Sequence, residues 1–179
     1  MKRRELLRVT CGAGLCPCAV APAAAEAADD AQSAELKRLT SRLGQARSQF
    51  AKMLELLESA VDEKGRKEIC EQLGRNCARS SGLPAKYKAN PDGFIELMKG
   101  YGETIRYDRD EGTISVASSE RDCVCGLVDK KITPPYFCDC SVGWQKEIYE
   151  SALGKPVNVV IKESVLRGGK RCVFEIRVA

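Results

Sequence analysis

The sequence predicts an α+β fold, with N-terminal helices packed on a small, mainly antiparallel sheet and a cysteine-rich loop beside it. Three observations predict it. Apolar residues step by three and four without a break from residue 36 to residue 60. Beyond residue 103 the period shortens to two. Two Cys-x-Cys pairs stand in the stretch 123–140, which also carries Pro134 and Pro135.

Leu36, Leu39, Leu43, Ala46, Phe50, Met53, Leu57 and Ala60 trace a heptad seam, broadened by Leu54 and Val61, and predict a long helix over 31–61. Such a seam serves either packing on the chain's own domain or a coiled-coil homodimer through 31–61. Gly65 interrupts the pattern, and a second helix follows over about 66–79 with Ile69, Cys70, Leu73 and Cys77 on its apolar face. Residues 80–84 read as a loop. Asn90 as cap and Pro91 in the first turn open a short helix that stops at Gly100. Ile105 and Tyr107, a turn at 108–112, then Ile114 and Val116 make a hairpin. After the cysteine-rich loop, Ser141 caps a helix that carries Trp144, Ile148, Tyr149 and Leu153 and ends at Gly154. Residues 157–161 form a strand. Gly168 and Gly169 turn the chain into a last strand with Cys172, Phe174, Ile176 and Val178 on one face. Helices therefore occupy 31–100 and the β-rich part 103–179.

The 179 residues hold 29 Lys plus Arg, 25 Asp plus Glu, ten Cys and no His. Without histidine there is no Ser-His or Cys-His nucleophile pair, no His-bearing zinc site and no imidazole base. Residues 1–25 combine a basic start, a mild apolar middle and small residues, the pattern of an export signal. The Arg3-Arg4 pair followed by Leu6, Leu7 and Arg8 resembles a twin-arginine signal, and so predicts the twin-arginine export machinery as partner and a periplasmic or extracellular destination. Cleavage is expected after Ala25 or Ala27. The Gly- and Ala-rich centre, broken by Pro17, is too short and too weakly apolar to span a membrane, so no stable membrane insertion follows cleavage. Lys2, Arg3, Arg4 and Arg8 against Glu5 account for most of the net charge of +4, leaving 25 basic against 24 acidic residues over 26–179. That single domain is close to neutral. No basic block interleaves with aromatics and no phosphate-cradling glycine loop occurs, so nucleic acid is not an expected partner.

Seven cysteines lie beyond the signal: Cys70, Cys77, Cys123, Cys125, Cys138, Cys140 and Cys172. Cys123-Val-Cys125 and Cys138-Asp-Cys140 are separated by twelve residues. Where the backbone is irregular, both thiolates of such a pair can turn toward one ion. Two pairs then close a four-sulfur shell, zinc foremost, with an iron–sulfur centre or copper(I) as alternatives. Disulfides between the two pairs, or redox-active thiols, compete with metal. Cys172 reads as a core thiol, and Cys70 and Cys77 as core thiols or extra ligands. A separation of ~10 Å along a helix keeps those two from pairing with each other. Asp122 and Asp139 are candidate acceptors beside the sulfurs, and Arg121, Lys130 and Lys131 candidate counter-charges, all equally at home on a solvated rim.

Over 137–178, Cys140, Gly143 and Trp144, the Leu153-Gly154-Lys155-Pro156-Val157 run, and Gly168, Cys172, Phe174 and Ile176 resemble the C-terminal half of 4-vinyl-reductase-like domains. They are also similar to the L-2-amino-thiazoline-4-carboxylic acid hydrolase family and its cysteine-rich exported relatives. The resemblance implies a small α/β domain that holds a small organic ligand between sheet and helices, at times beside a cysteine-bound metal. Cys140, Gly143, Gly154, Gly168 and Cys172 match as architectural positions. Together these readings lead to an exported protein with a thiolate metal centre on Cys123, Cys125, Cys138 and Cys140. Beside it would lie a small-molecule pocket lined by Tyr136, Phe137, Trp144 and Tyr149. A hydrolase of a cyclic or amide-like C–N bond, using a metal-bound water or a low-pKa cysteine, is one alternative. A disulfide-stapled interaction domain is the other.

Overall fold

The structure, a computed structural model, describes residues 21–120 and 123–179. The predicted signal falls mostly on residues outside these. Contacts divide the chain after Leu43. The first unit contributes the start of helix α1 (Ala21–Ala60), where Leu36, Leu39 and Leu43 are exposed.

In the second unit, the rest of α1 buries Ala51 and Leu54, with Phe50 and Leu57 half-covered, while Met53 stands exposed. The inward face is therefore turned from the heptad seam toward Phe50, Ala51 and Leu54. Asp62 caps α2 (Glu63–Ser80), its side chain accepting from the Gly65 N–H at 2.8 Å, so Gly65 lies in the first helical turn and the break falls just before it. A short helix α3 (Leu83–Lys86) occupies part of the stretch read as loop. Asn90 caps α4 (Pro91–Gly100) by accepting from Gly93 N–H at 3.0 Å, as its sequence predicts.

Strands β1 (Thr104–Asp108) and β2 (Thr113–Ala117) form the expected hairpin, with Tyr107 opposite Ile114. The loop then leads through a 3₁₀ turn (Pro135–Cys138) directly into α5 (Asp139–Leu153), which Gly154 ends at φ 67°. Strand β3 (Val157–Glu163) and, after a second 3₁₀ turn (Val165–Arg167), β4 (Val173–Val178) complete one four-stranded antiparallel sheet in the order β1-β2-β4-β3. The expected α+β class holds: helices pack on a small antiparallel sheet. Ile105, Ile114, Val116, Phe174 and Ile176 from the sheet meet Phe94, Ile95, Ile148 and Tyr149 from α4 and α5 in the main core.

The contact between α2 and α5 is what positions the cysteines. The buried face of α2 is Cys70, Gly74 and Ala78, whereas Ile69 and Leu73 of the predicted face are exposed. Small residues face inward because main chain meets main chain here. A Cβ on Gly74 would lie 1.8 Å from the Cys140 carbonyl oxygen, and one on Gly143 would lie 1.8 Å from that of Glu71. Ion pairs line the contact, with Arg75 to Glu150 at 2.7 Å, Lys146 to Glu71 at 2.8 Å and Arg79 to Glu147 at 2.8 Å.

Candidate functional site

A second apolar cluster, apart from the main core, gathers the thiols. Its buried members are Leu54 of α1, Cys70 of α2, Val128 of the loop, Phe137 and Leu166. Cys123, Cys125, Cys138 and Cys140 pack around it, so the two Cys-x-Cys pairs reach one place in the fold. Three contacts hold the loop there. Arg47 Nε donates to the Gly126 carbonyl at 2.8 Å, and Tyr136 donates its hydroxyl to the Leu54 carbonyl at 2.6 Å. Phe137 meets Phe50 edge-on, with ring centres 5.0 Å apart. Cys70, Cys77, Cys125, Cys138, Cys140 and Cys172 are free thiols.

The pairs behave differently, and backbone conformation decides how. Cys123 and Cys125 are half-buried while Val124 between them is 74% exposed, the alternation of an extended segment that sends both thiols to one side. Cys138 and Cys140 lie on helical backbone, where residues two apart diverge by about 200°. The helix opens at Asp139 rather than at Ser141, so the irregular backbone expected around this pair is absent. Cys138 turns to the sheet side, its Sγ 2.7 Å from the buried Ser164 hydroxyl. The main chain of Cys140 lies against α2. Among the described residues no three Cys, Asp or Glu side chains stand together as a formed metal shell.

Burial pushes the Cys70 thiol up to about 11, raised further by the Asp139 charge and opposed by Arg66. Burial likewise pushes Cys140 up to about 12, with the Cys125, Cys70, Cys77 and Cys138 sulfurs adding to it. Cys138 is raised by burial, partly offset by its bond to Ser164 and by Arg167. Without a cation these three are thiols. None is an activated thiolate of the kind a cysteine hydrolase needs.

Asp139 receives Arg167 Nη2 at 2.8 Å, an ion pair that ties the turn after β3 to the start of α5. Arg121 and Asp122 lie outside the described residues. Cys172 is built into the end of the central β2–β4 ladder: its N–H donates to Ser118 Oγ at 3.0 Å and its carbonyl accepts from Ser118 N–H at 2.9 Å.

The four aromatics expected to line one pocket divide between the two clusters. Tyr136 and Phe137 belong to the cysteine cluster, Trp144 and Tyr149 to the main core beside Phe94. Two surface depressions of ≈ 280 and ≈ 390 Å³, one at the β1–β2 turn and one on the α2 surface, include none of them. Tyr149 is 1% exposed and its hydroxyl has no hydrogen-bond partner.

No family model matches the chain, and no curated protein matches it. Among solved structures it is similar to trafficking protein particle complex subunit 3 from Naegleria fowleri, covalently bound to palmitic acid, at 14% identity and a TM-score of 0.47 over 78% of this chain and 96% of that one. It is similar also to the phenol-responsive sensory domain of the transcription activator PoxR with phenol, at 13% identity and a TM-score of 0.46, over 74% of each chain. Neither is described as a 4-vinyl-reductase-like or thiazoline hydrolase protein.

Sequence reasoning missed Ser164 as the partner of Cys138, and the glycine contact that sets Cys140. The first had no signal, since Ser164 is 26 positions away in sequence. The second had one: Cys70, Gly74 and Ala78 step by four, a row of small residues that marks a close helix approach.

Proposed function

We propose that the protein is an exported cysteine-rich binding protein that holds a thiophilic metal ion on thiolates gathered at the start of α5. One observation carries the reading. Five thiols from three separate parts of the chain (Cys70, Cys123, Cys125, Cys138 and Cys140) border a single apolar cluster. Sulfur is the only soft donor set in a chain without histidine, so zinc, copper(I) or an iron–sulfur unit are the ions it suits. Half-buried sulfur in apolar surroundings also favours a bound cation, because deprotonated thiolates there need compensating charge. The hydrolase alternative gains nothing from Cys70, Cys138 or Cys140, whose protons burial holds in place.

The test is metal content. Reduced full-length protein is incubated with zinc or copper(I), freed of excess ion, and assayed for metal and reactive thiols. Bound metal with a matching loss of reactive thiols is expected. Protein that emerges metal-free from both ions, with every thiol still reactive, refutes the reading.

A further inference from the structure

We infer that Cys70 of α2 is a ligand of this centre, and that it, rather than Cys138, shares an ion with Cys140. The assignment rests on the thiolate-metal reading above. It begins with the helical start of α5. Two positions apart on helical backbone, Cys138 and Cys140 leave the axis on opposite sides, so one ion at Cys140 is out of line with Cys138. Cys138 is already engaged, 2.7 Å from Ser164 Oγ.

The main chain of Cys140 lies against α2, and Cys140 borders the same apolar cluster as Cys70. Its carbonyl oxygen fills the space where a Cβ on Gly74 would be. The two helices run side by side in the same sense: Glu71 meets Gly143 and Lys146, Gly74 meets Cys140 and Trp144, and Arg75 meets Glu147 and Glu150. Cys70 lies one helical turn before Gly74 on the same buried face, level with the start of α5, and belongs to the apolar cluster against which Cys140 packs. Glycine on both helices brings their axes closer than the roughly 8–10 Å of ordinary helix packing. That closeness is what two short side chains need, because sulfurs at about 2.3 Å from one ion are no more than about 4.6 Å apart.

Two further features fit. Arg66, one turn before Cys70 on α2, donates Nη1 to the Glu58 and Val61 carbonyls and lies over the Tyr136 ring, and its positive charge acts on the Cys70 sulfur that would carry negative charge. Cys125 packs on the same cluster from the loop and supplies a third sulfur by side-chain rotation. Two or three sulfurs in apolar surroundings suit copper(I) better than an ion that demands four ligands.

The experiment titrates reduced, full-length protein anaerobically with copper(I) against a chromogenic competitor, using wild type, Cys70→Val, Cys140→Ser and Cys138→Ser. Valine keeps the buried apolar volume at position 70 and cannot ligate; circular dichroism and melting confirm folding, and Cys70→Ala replaces it if valine is not accommodated. Cys70→Val and Cys140→Ser are each expected to weaken copper(I) binding by about a hundredfold or more, at least the loss seen for outer-shell changes. The Cys70/Cys140 double variant should be no weaker than either single one, and Cys138→Ser should lose less than either of them. Binding by Cys70→Val equal to wild type, or a loss in Cys138→Ser as large as that in Cys70→Val, overturns the assignment while leaving a thiolate centre in place. Wild type that takes up neither copper(I) nor zinc overturns the reading beneath it as well.

Discussion

Replacing Gly143 by alanine tests the contact on which the cysteine geometry depends. The added Cβ would stand 1.8 Å from the Glu71 carbonyl oxygen and 2.6 Å from its carbon. Comfortable heavy-atom contact is about 3.5 Å, so α2 and α5 must part by roughly 1.5 Å. The atom in the way is main chain, which no rotamer change can move. Parting the helices stretches the Arg75–Glu150 and Lys146–Glu71 pairs and loosens Cys70, Ala78 and Ile148, each 1% exposed or less. Overpacking costs about 1–3 kcal/mol, and a backbone clash belongs at the upper end. Alanine returns about 1 kcal/mol through its better helix propensity. The net loss is about 2 kcal/mol, or a fall of about 4–8 °C in Tm for a domain of this size. Gly44→Ala is the control, since Gly44 also lies inside a helix but has nothing within 4 Å of its would-be Cβ. It should melt no lower than wild type. Thermal unfolding followed by circular dichroism decides: a Gly143→Ala protein as stable as wild type refutes the close contact.

Acid should weaken the same helix pair. The Arg79 and Arg75 guanidinium groups hold Glu147 below the usual carboxylate range against burial. Burial raises Glu71, but Lys146 and Arg75 outweigh it and the net shift is downward. A carboxyl with a lowered folded-state pKa stabilises the fold above its unfolded value of about 4.5, and that stabilisation is lost as pH falls through the folded values. Melting temperature should therefore drop on acidification below that point, and the drop should be shallower in Arg75→Met; equal slopes would refute the coupling. Tyr149→Phe removes a buried hydroxyl that has no partner, so stability should stay within about 1 kcal/mol of wild type or rise, as measured by denaturant unfolding. A loss above about 2 kcal/mol would mean that the hydroxyl is bonded.

Much of the fold was legible because its signals are local. Asn90 with Pro91 announces a helix start, Gly154 its stop, and alternating Ile114, Val116, Phe174 and Ile176 the buried face of the sheet. The face of α2 was not legible by hydrophobicity. Ile69 and Leu73 outrank Gly74 and Ala78 on any apolar scale, yet the partner helix comes so close that only small side chains fit. The cap of α5 lies three residues earlier than expected, at Cys138 rather than Ser141. That small shift matters, since it moves Cys138 and Cys140 from irregular onto helical backbone. The four aromatics divide between two clusters at the same place. Phe137 and Trp144 are seven positions apart across the helix start, and each followed the cluster its own face met.

Cys-x-Cys is therefore a signal whose meaning depends on the backbone that carries it. On the extended segment at 123–125 it delivers two thiols to one side, with Val124 pointing out. On the helix it delivers one thiol to each side, and the second ligand for either must come from another element. In the centre proposed above, that element for Cys140 is α2, and the distance between α2 and α5 is set by Gly74 and Gly143 rather than by any cysteine. Helix packing and sulfur geometry are then a single variable. A substitution that parts α2 from α5 should weaken both stability and metal binding, whereas one that removes Ser164 from Cys138 should leave the Cys140 side intact.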